Sequence, residues 1–563
     1  MRVPKLPIAL ASTIGAIGAW YSYQGNGTDS LLQSQNPSLT KSISTTSASA
    51  SPTAHTVTTP KQDRKALVVD NDQFFTGSIV GEGPLAKDTD DYGRKVLEMM
   101  TPDQATERLR KNEQSYLVGR GRGVVRYDVV QLPSNDPIED DHAEKIVEVP
   151  NTVAATDNTS SSDWMFWGVF DGHSGWTTSA KLRQVLISFA ARELNSTYKA
   201  ALSNKASPFP APEAIDQALK SAFVKLDNEI CQDSVNKLTK NPSKRLAAEI
   251  LAPALSGSCA LLSFYDSQSK TFRVACTGDS RAILGRRNLQ TGKWFATPLS
   301  EDQTGSNPNE EARMRAEHPG EDYVIRGGRV LGNLEPTRAF GDAFYKWSRE
   351  TQDKIKKNFF GRTPHNLLKT PPYVTAEPVV TSTGIEPSKG DFVVMATDGL
   401  WEMLTNEEVV GLVGQWIETQ NNKASSNSSS TSWLTSWFKS APQGLPVEKG
   451  GNMDKTGRVQ AADAGAKPIR QQQWPVESEI SSRFVVEDKN AATHLIRNAL
   501  GGKDRDMVSA LLTLPSPYSR RYRDDLTVEV IFFGEGEDKG AVVMNDEATA
   551  SNSNGQGELK AKL

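Results

Sequence analysis

Apolar residues along the chain gather in short runs that alternate with stretches of helical period. "GVVRYDVVQL" (123–132), "FWGVF" (166–170), "CALLSFYD" (259–266), "FRVACTGD" (272–279), "DFVVMATD" (391–398) and "LTVEVIFF" (526–533) are rich in β-branched and aromatic residues. Bounded by Gly, Asp or polar turns, such runs predict buried strands. The neighbours 259–266 and 272–279 predict antiparallel pairing. Ile215, Leu219, Phe223, Leu226 and Ile230 recur every three or four residues, so 212–230 reads as a helix with one apolar stripe. A second helix is predicted over 176–194. The chain is therefore α+β, and the stripe is packing surface without chemistry.

Polar tracts flank and interrupt this pattern. Residues 1–28 predict a targeting or membrane-sorting segment: Leu6 to Thr28 is uncharged, 6–23 is "LPIALASTIGAIGAWYSY", and Arg2 and Lys5 precede it. Its apolar part is at the short end of the roughly 17–25 residues that cross a bilayer, and a cleaved mitochondrial or secretory leader has the same look. Residues 29–62 read as a Ser/Thr-rich linker unable to offset its ordering entropy. A low-complexity surface insertion is expected over about 421–479, opening with "NNKASSNSSSTSW", and a disordered tail over 534–563. The tail ends in Ala561-Lys562-Leu563, which resembles a peroxisomal import signal and implies an import receptor. One folded domain remains, over 115–533.

The net charge of −4 is mixed in sign, which gives no reason to expect a nucleic-acid partner. Three cysteines (Cys231, Cys259 and Cys276) are too few for a disulfide framework or a Cys-rich zinc site.

What the strand pattern leaves unexplained is where the acids fall. Asp171, Asp279 and Asp398 each end an apolar run, Asp524 and Asp525 begin one, and Glu139 and Asp140 sit just upstream of another. One Asp at a strand end is ordinarily a cap or a turn. Five such sites in one domain point further. Clustered carboxylates repel unless a cation lies among them, and hard oxygen ligands suit Mg²⁺ or Mn²⁺. The residues thus predict a carboxylate-bound, binuclear metal site. Two phosphate-handling motifs are absent: in "CTGDSR" Arg281 follows Cys276 by five residues instead of the six a cysteine nucleophile needs, and no phosphate-binding Gly-x₄-Gly-Lys loop occurs.

In this order, "VFDGHSG", "ACTGDSRAILG", "ATDGLWEML" and "RDDLTV" resemble the metal-dependent Ser/Thr protein phosphatases of PPM type, protein phosphatase 2C. "NDPIED" (135–140), "EEARMRAEHPGE" (310–321), "RAFGDAFYKWS" (338–348), "TPPYVTAEP" (370–378) and "EDKNAATHLIRNAL" (487–500) are most similar to the mitochondrial pyruvate dehydrogenase phosphatase subgroup. The resemblance implies a sandwich of two antiparallel β-sheets flanked by α-helices, with two Mg²⁺ or Mn²⁺ at one end. It assigns Asp171 to both metals, Gly172 (through its carbonyl) and Glu139 to one, and Asp398 and Asp524 to the other. Asp279 and Asp525 would be outer or accessory positions, and Asp140 would orient the site. Water would attack phosphoserine directly while His173 protonates the leaving alkoxide. Where many members carry a phosphate-gripping Arg, this chain has Asn135, so either the grip is weaker or a partner or another basic residue compensates. The implied substrate is the E1 subunit of the pyruvate dehydrogenase complex. The alternatives are other mitochondrial or peroxisomal phosphoproteins, or a scaffold without catalysis, which the retained acids oppose. The implied address is mitochondrial, inner-membrane tethered or in the intermembrane space, with a peroxisomal fraction.

Overall fold

Two antiparallel sheets carry the architecture. The computed structural model describes residues 64–551 apart from 71–72, 80–84, 86, 151–160, 204–207, 428–444, 449–467 and 474–482. The expected targeting segment, the linker and the Ala561-Lys562-Leu563 terminus lie outside the described residues. Among the described residues no helix is long and apolar enough to cross a membrane.

The strands of the two sheets are, in chain order, β1 (Gln114–Arg120), β2 (Val124–Leu132), β3 (Asp141–Pro150), β4 (Ser161–Phe170), β5 (Ala260–Asp266) and β6 (Thr271–Thr277), followed by β7 (Arg281–Arg287), β8 (Trp294–Pro298), β9 (Val379–Gly384), β10 (Phe392–Ala396), β11 (Leu526–Phe533) and β12 (Asp538–Met544). One sheet has seven strands in the order β8-β7-β10-β11-β2-β1-β12, the other five in the order β9-β6-β5-β4-β3. The predicted hairpin is β5 and β6, with Leu262 opposite Ala275.

Burial on both faces explains why the apolar runs are unbroken. Met165, Trp167 and Val169 of β4 share the layer between the sheets with Val393, Met395 and Ile531. Trp164, Phe166 and Phe170 of the same strand join the helices α1 (Thr177–Leu202) and α2 (Pro212–Asn228) on the outer face. On the seven-stranded side, Val394, Val528 and Val530 pack with α3 (Asn406–Asn427), α4 (Ala491–Ala499) and α5 (Arg505–Thr513). A strand with no wet face shows no polar alternation.

Four boundaries differ from expectation. Helix α1 continues past 194 because Tyr198 extends its buried face and donates its hydroxyl to Asp266 Oδ2 at 3.0 Å. Packing also begins before residue 115, since Leu67 and Val69, on a strand paired with Lys95–Glu98, join the helix-side core. The stretch after Phe533, expected to be a disordered tail, instead supplies β12, which pairs with β1 (Val542 opposite Val118). It covers an edge that would otherwise present bare backbone groups. Among the described residues, the Ser-rich insertion meets the body at 445–448 and at 468–473. The Trp294 backbone N–H donates to the Pro446 carbonyl at 2.8 Å, and Arg470 pairs with Glu402 at 3.0 Å.

Register brings the chemistry to one rim. Leu261 pairs with both Val169 and Cys276, so β4 and β6 end on the same side. Asp141 opposite Phe170, Ala396 opposite Val528 and Leu526 opposite Leu132 place the starts of β3 and β11 and the ends of β10 and β2 there as well. The loop from β2 to β3, residues 133–140, crosses from one sheet to the other at this rim.

Candidate metal centre and active site

Three carboxylates converge at the rim. Oxygen atoms of Asp171, Asp279 and Asp398 all lie within 4.8 Å of one another. The Asp398 N–H faces Asp171 Oδ2 at 3.5 Å, and Asp398 Oδ1 is buried with no hydrogen-bond partner. Burial and the neighbouring Asp279 push the Asp171 carboxyl up to about 7. Burial and Asp398 do the same to Asp279, also to about 7, and burial with Asp171 holds Asp398 well above the ordinary range. Like charges this close in a low dielectric cannot all ionise without compensation. An orphaned carboxylate oxygen within an all-oxygen cluster fits a hard divalent cation.

The loop 133–140 fits against β4 through a glycine. A Cβ at Gly172 would lie 2.0 Å from the Glu139 carbonyl oxygen and 2.9 Å from Ser179 Oγ. Ser179 of α1 donates to that same carbonyl at 2.5 Å. The Glu139 carboxyl accepts from the Gly175 N–H, and burial and Asp525 raise it.

Asp525 shapes this loop. Its carboxylate accepts from the N–H groups of Ser134 (2.5 Å), Asn135 (2.9 Å) and Glu139 (2.9 Å), and from Asn135 Nδ2 (3.0 Å). Asn135 is thus turned towards Asp525. Asp140 is buried and accepts from Thr397 Oγ1 at 2.9 Å and Thr527 Oγ1 at 2.8 Å, fastening the loop to the end of β10 and to β11. Asp524 takes the Asp525 N–H at 2.7 Å and pairs with Arg520.

His173 has a partner that sequence reasoning missed. Its Nε2 lies 2.6 Å from Asp342 Oδ2. Asp342 sits in the insertion between β8 and β9, at a left-handed φ of 48°, with its N–H donated to the Ser256 carbonyl at 2.8 Å. The preceding Gly341 is obligatory, because a Cβ there would meet the same carbonyl at 2.3 Å. Burial works against the imidazolium, but Asp342, helped by Asp171 and Asp279, outweighs it and raises His173 to about 9.

An acid cluster with a charged histidine beside it, at one end of a helix-flanked sandwich, matches the arrangement the motifs implied. Residues 138–432 match the family model described as protein phosphatase 2C. The chain belongs to the protein phosphatase 2C family. A protein phosphatase 2C homolog of Schizosaccharomyces pombe is 44% identical over 434 residues, covering 77% of this chain and 85% of that one. The mitochondrial pyruvate dehydrogenase [acetyl-transferring]-phosphatase 1 of Saccharomyces cerevisiae is 44% identical over 459 residues (78% and 75%). Its human namesake is 30% identical over 498 residues (77% and 83%).

In this protein serine/threonine phosphatase 2C, then, Asp171, Asp279 and Asp398 meet directly. Glu139, Asp140, Asp525 and Asn135 share one loop network, and Asp524 stands beside Arg520. Besides Asp342, the sequence reading passed over Thr397, Thr527 and Arg520. Of these only Asp342 carried a visible sign, a Gly-Asp pair like the one at 171–172 reversed.

Proposed function

We propose that this phosphatase is metal-dependent, works in mitochondria and dephosphorylates serine on the E1 subunit of the pyruvate dehydrogenase complex. The observation that carries the chemistry is the meeting of Asp171, Asp279 and Asp398, with Asp398 Oδ1 buried without a hydrogen-bond partner and the His173–Asp342 pair beside it. The names of the yeast and human relatives support the substrate and the address.

In this reading Asp171, the Gly172 carbonyl, Glu139, Asp398 and Asp524 hold two Mg²⁺ or Mn²⁺, with Asp279 completing the acid cluster. When bound, such cations polarise the phosphoryl oxygens and activate a water for in-line attack. The serine alkoxide is a poor leaving group and needs a proton. His173, raised to about 9 against the cost of its burial, donates it, help typically worth about 10²–10⁴-fold. With Nε2–H directed to Asp342, Nδ1 is the ring nitrogen left to face the leaving oxygen. Asp342 fixes the ring and keeps it protonated. Asp525 and Asp140 hold Glu139 in place through the loop network.

The test is dephosphorylation of phosphorylated E1 by the recombinant protein with Mn²⁺ and with excess chelator, alongside phosphoproteomes of organelles lacking it. E1 phosphoserine is expected to fall only with metal and to rise in the depleted organelles. Full activity in chelator would overturn the metal reading. Unchanged E1 with increases on other mitochondrial proteins would overturn the substrate.

A further inference from the structure

The rim lacks an arginine at position 135, and Asn135 spends its amide on Asp525. Most cations around the rim are committed elsewhere. Arg281 forks onto Asp302 at 2.6 and 3.0 Å, and Arg338 holds Glu310 at 2.8 and 3.1 Å. Arg470 pairs with Glu402 at 3.0 Å. Arg523 is fully buried and donates to the Pro133 carbonyl at 2.7 Å.

Arg520 differs from these. Its side chain is 49% exposed, and the carboxylate it pairs with is Asp524, a proposed metal ligand. The turn that carries it, Ser519–Arg521, is pinned to the loop of Asn135 and Glu139, because Ser519 Oγ donates to the Ser134 carbonyl at 2.6 Å. Its charge also reaches the acids themselves, offsetting a small part of the rise that burial and like charges impose on Asp171, Glu139 and Asp398. The guanidinium therefore stands at a proposed ligand carboxylate with about half of its side chain open to solvent.

We propose that Arg520 is the phosphate-binding residue of this enzyme, turning from Asp524 onto the non-bridging oxygens of the substrate phosphomonoester when a divalent cation takes over that carboxylate. The inference rests on the phosphatase reading above. A planar guanidinium presents two parallel N–H donors to phosphate, which an asparagine amide cannot match.

The experiment uses the full-length Mn²⁺-loaded protein as wild type, Arg520→Ala and Arg520→Lys. Inorganic phosphate is the probe, read by calorimetry and as product inhibition. Loss of one charge-assisted pair is expected to weaken phosphate binding about 10–100-fold. KM for a phosphoserine peptide should rise in step while kcat changes less, and Lys should restore part of the loss. Since Arg520 competes with the cation for Asp524, Arg520→Ala should bind Mn²⁺ at least as tightly, in a titration without substrate. Unchanged phosphate affinity at saturating Mn²⁺ would overturn the proposal. So would weaker Mn²⁺ binding with phosphate affinity fully recovered by more metal, which would make Arg520 a brace for Asp524. If the wild type fails to hydrolyse phosphoserine, the phosphatase reading falls, while the phosphate titration still decides the role of Arg520.

Discussion

Replacing Asp342 by Asn removes a charge from the pair holding His173 while keeping the volume and a hydrogen-bonding amide. The two side chains meet at 2.6 Å, and the Asp342 side chain is only 4% exposed, so water screens the contact little. A charge-assisted hydrogen bond of this kind is worth about 1.5–3 kcal/mol. At about 1.36 kcal/mol per pKa unit, that is roughly 1–2 units on the imidazole. His173 stands at about 9 in the protein. Asp171 and Asp279 contribute to that rise, but bound cations would neutralise them, leaving Asp342 as the main support. In the proposed mechanism the acid form is the working form, so activity should hold until pH approaches the His173 value and then fall. In Asp342→Asn the alkaline limb should move down by about 1–2 units.

The assay is kcat against pH at saturating Mg²⁺, with a phosphoserine peptide and with an activated aryl phosphate whose leaving group needs no proton. The peptide profile should shift and the aryl profile should barely change. His173→Gln should slow the peptide by about 10²–10⁴-fold, again sparing the aryl ester. Thermal melts report whether the variants fold. An unmoved alkaline limb, or equal losses on both substrates, would refute the assignment of His173 as the acid and Asp342 as its support. The linkage has a stability counterpart. A raised imidazole contributes fully below its ordinary 6.5 and loses that contribution as pH rises through about 9. The wild type's melting advantage over Asp342→Asn should therefore shrink across that window.

Three further outcomes are expected. Asp171→Asn and Asp398→Asn should abolish turnover and weaken Mn²⁺ binding with the melting temperature of the metal-free protein unchanged or raised, since each removes a charge from a repelling cluster; retained Mn²⁺ affinity in both would remove them from the ligand set. Asp171 and Asp279 bind protons in the folded protein up to about 7 against 3.8 when unfolded, so the metal-free protein should lose stability between those pH values. Added Mn²⁺ should accordingly raise the melting temperature more at pH 7.5 than at pH 5, and an equal rise would count against the cluster as its site. Thr527→Val removes one of the two hydroxyls on buried Asp140, which should cost about 1–3 kcal/mol in urea unfolding; no loss would mean that Asp140 is not held this way.

The strands and the acids were legible for related reasons. A strand buried on both faces must be apolar throughout, so its run stops where the sandwich stops. An acid at that stop, such as Asp171 after Phe170, announces the rim. The supporting groups left no such mark. Asp342 lies 169 residues from His173, and nothing local says where an insertion will fold back. Thr397 and Thr527 sit within or beside β-branched runs, where a threonine reads as a strand former and its hydroxyl goes unnoticed. β12 was misread because "EGEDKG" ahead of "AVVM" (535–544) dominates the composition, although the apolar part suffices to pair with β1.

The site divides its labour between ladder and loop, and the division has consequences. Asp171 and Asp398 leave strands whose spacing is held by hydrogen-bond registers running the length of both sheets. Groups on such elements are placed more firmly than groups on loops, which suits ligands whose spacing must be kept. Asp342 instead stands on an insertion with its own small core around Met314, Val324, Tyr345 and Tyr373, and Arg520 stands on a three-residue turn. In this reading proton delivery thus rests on a segment whose core is separate from the strands that carry the acids. Repacking the core around Met314 should therefore change the pH profile and leave Mn²⁺ affinity alone. Altering the 133–140 loop, through Asp525 or Ser179, should do the opposite, because that loop positions Glu139 and the backbone against Gly172.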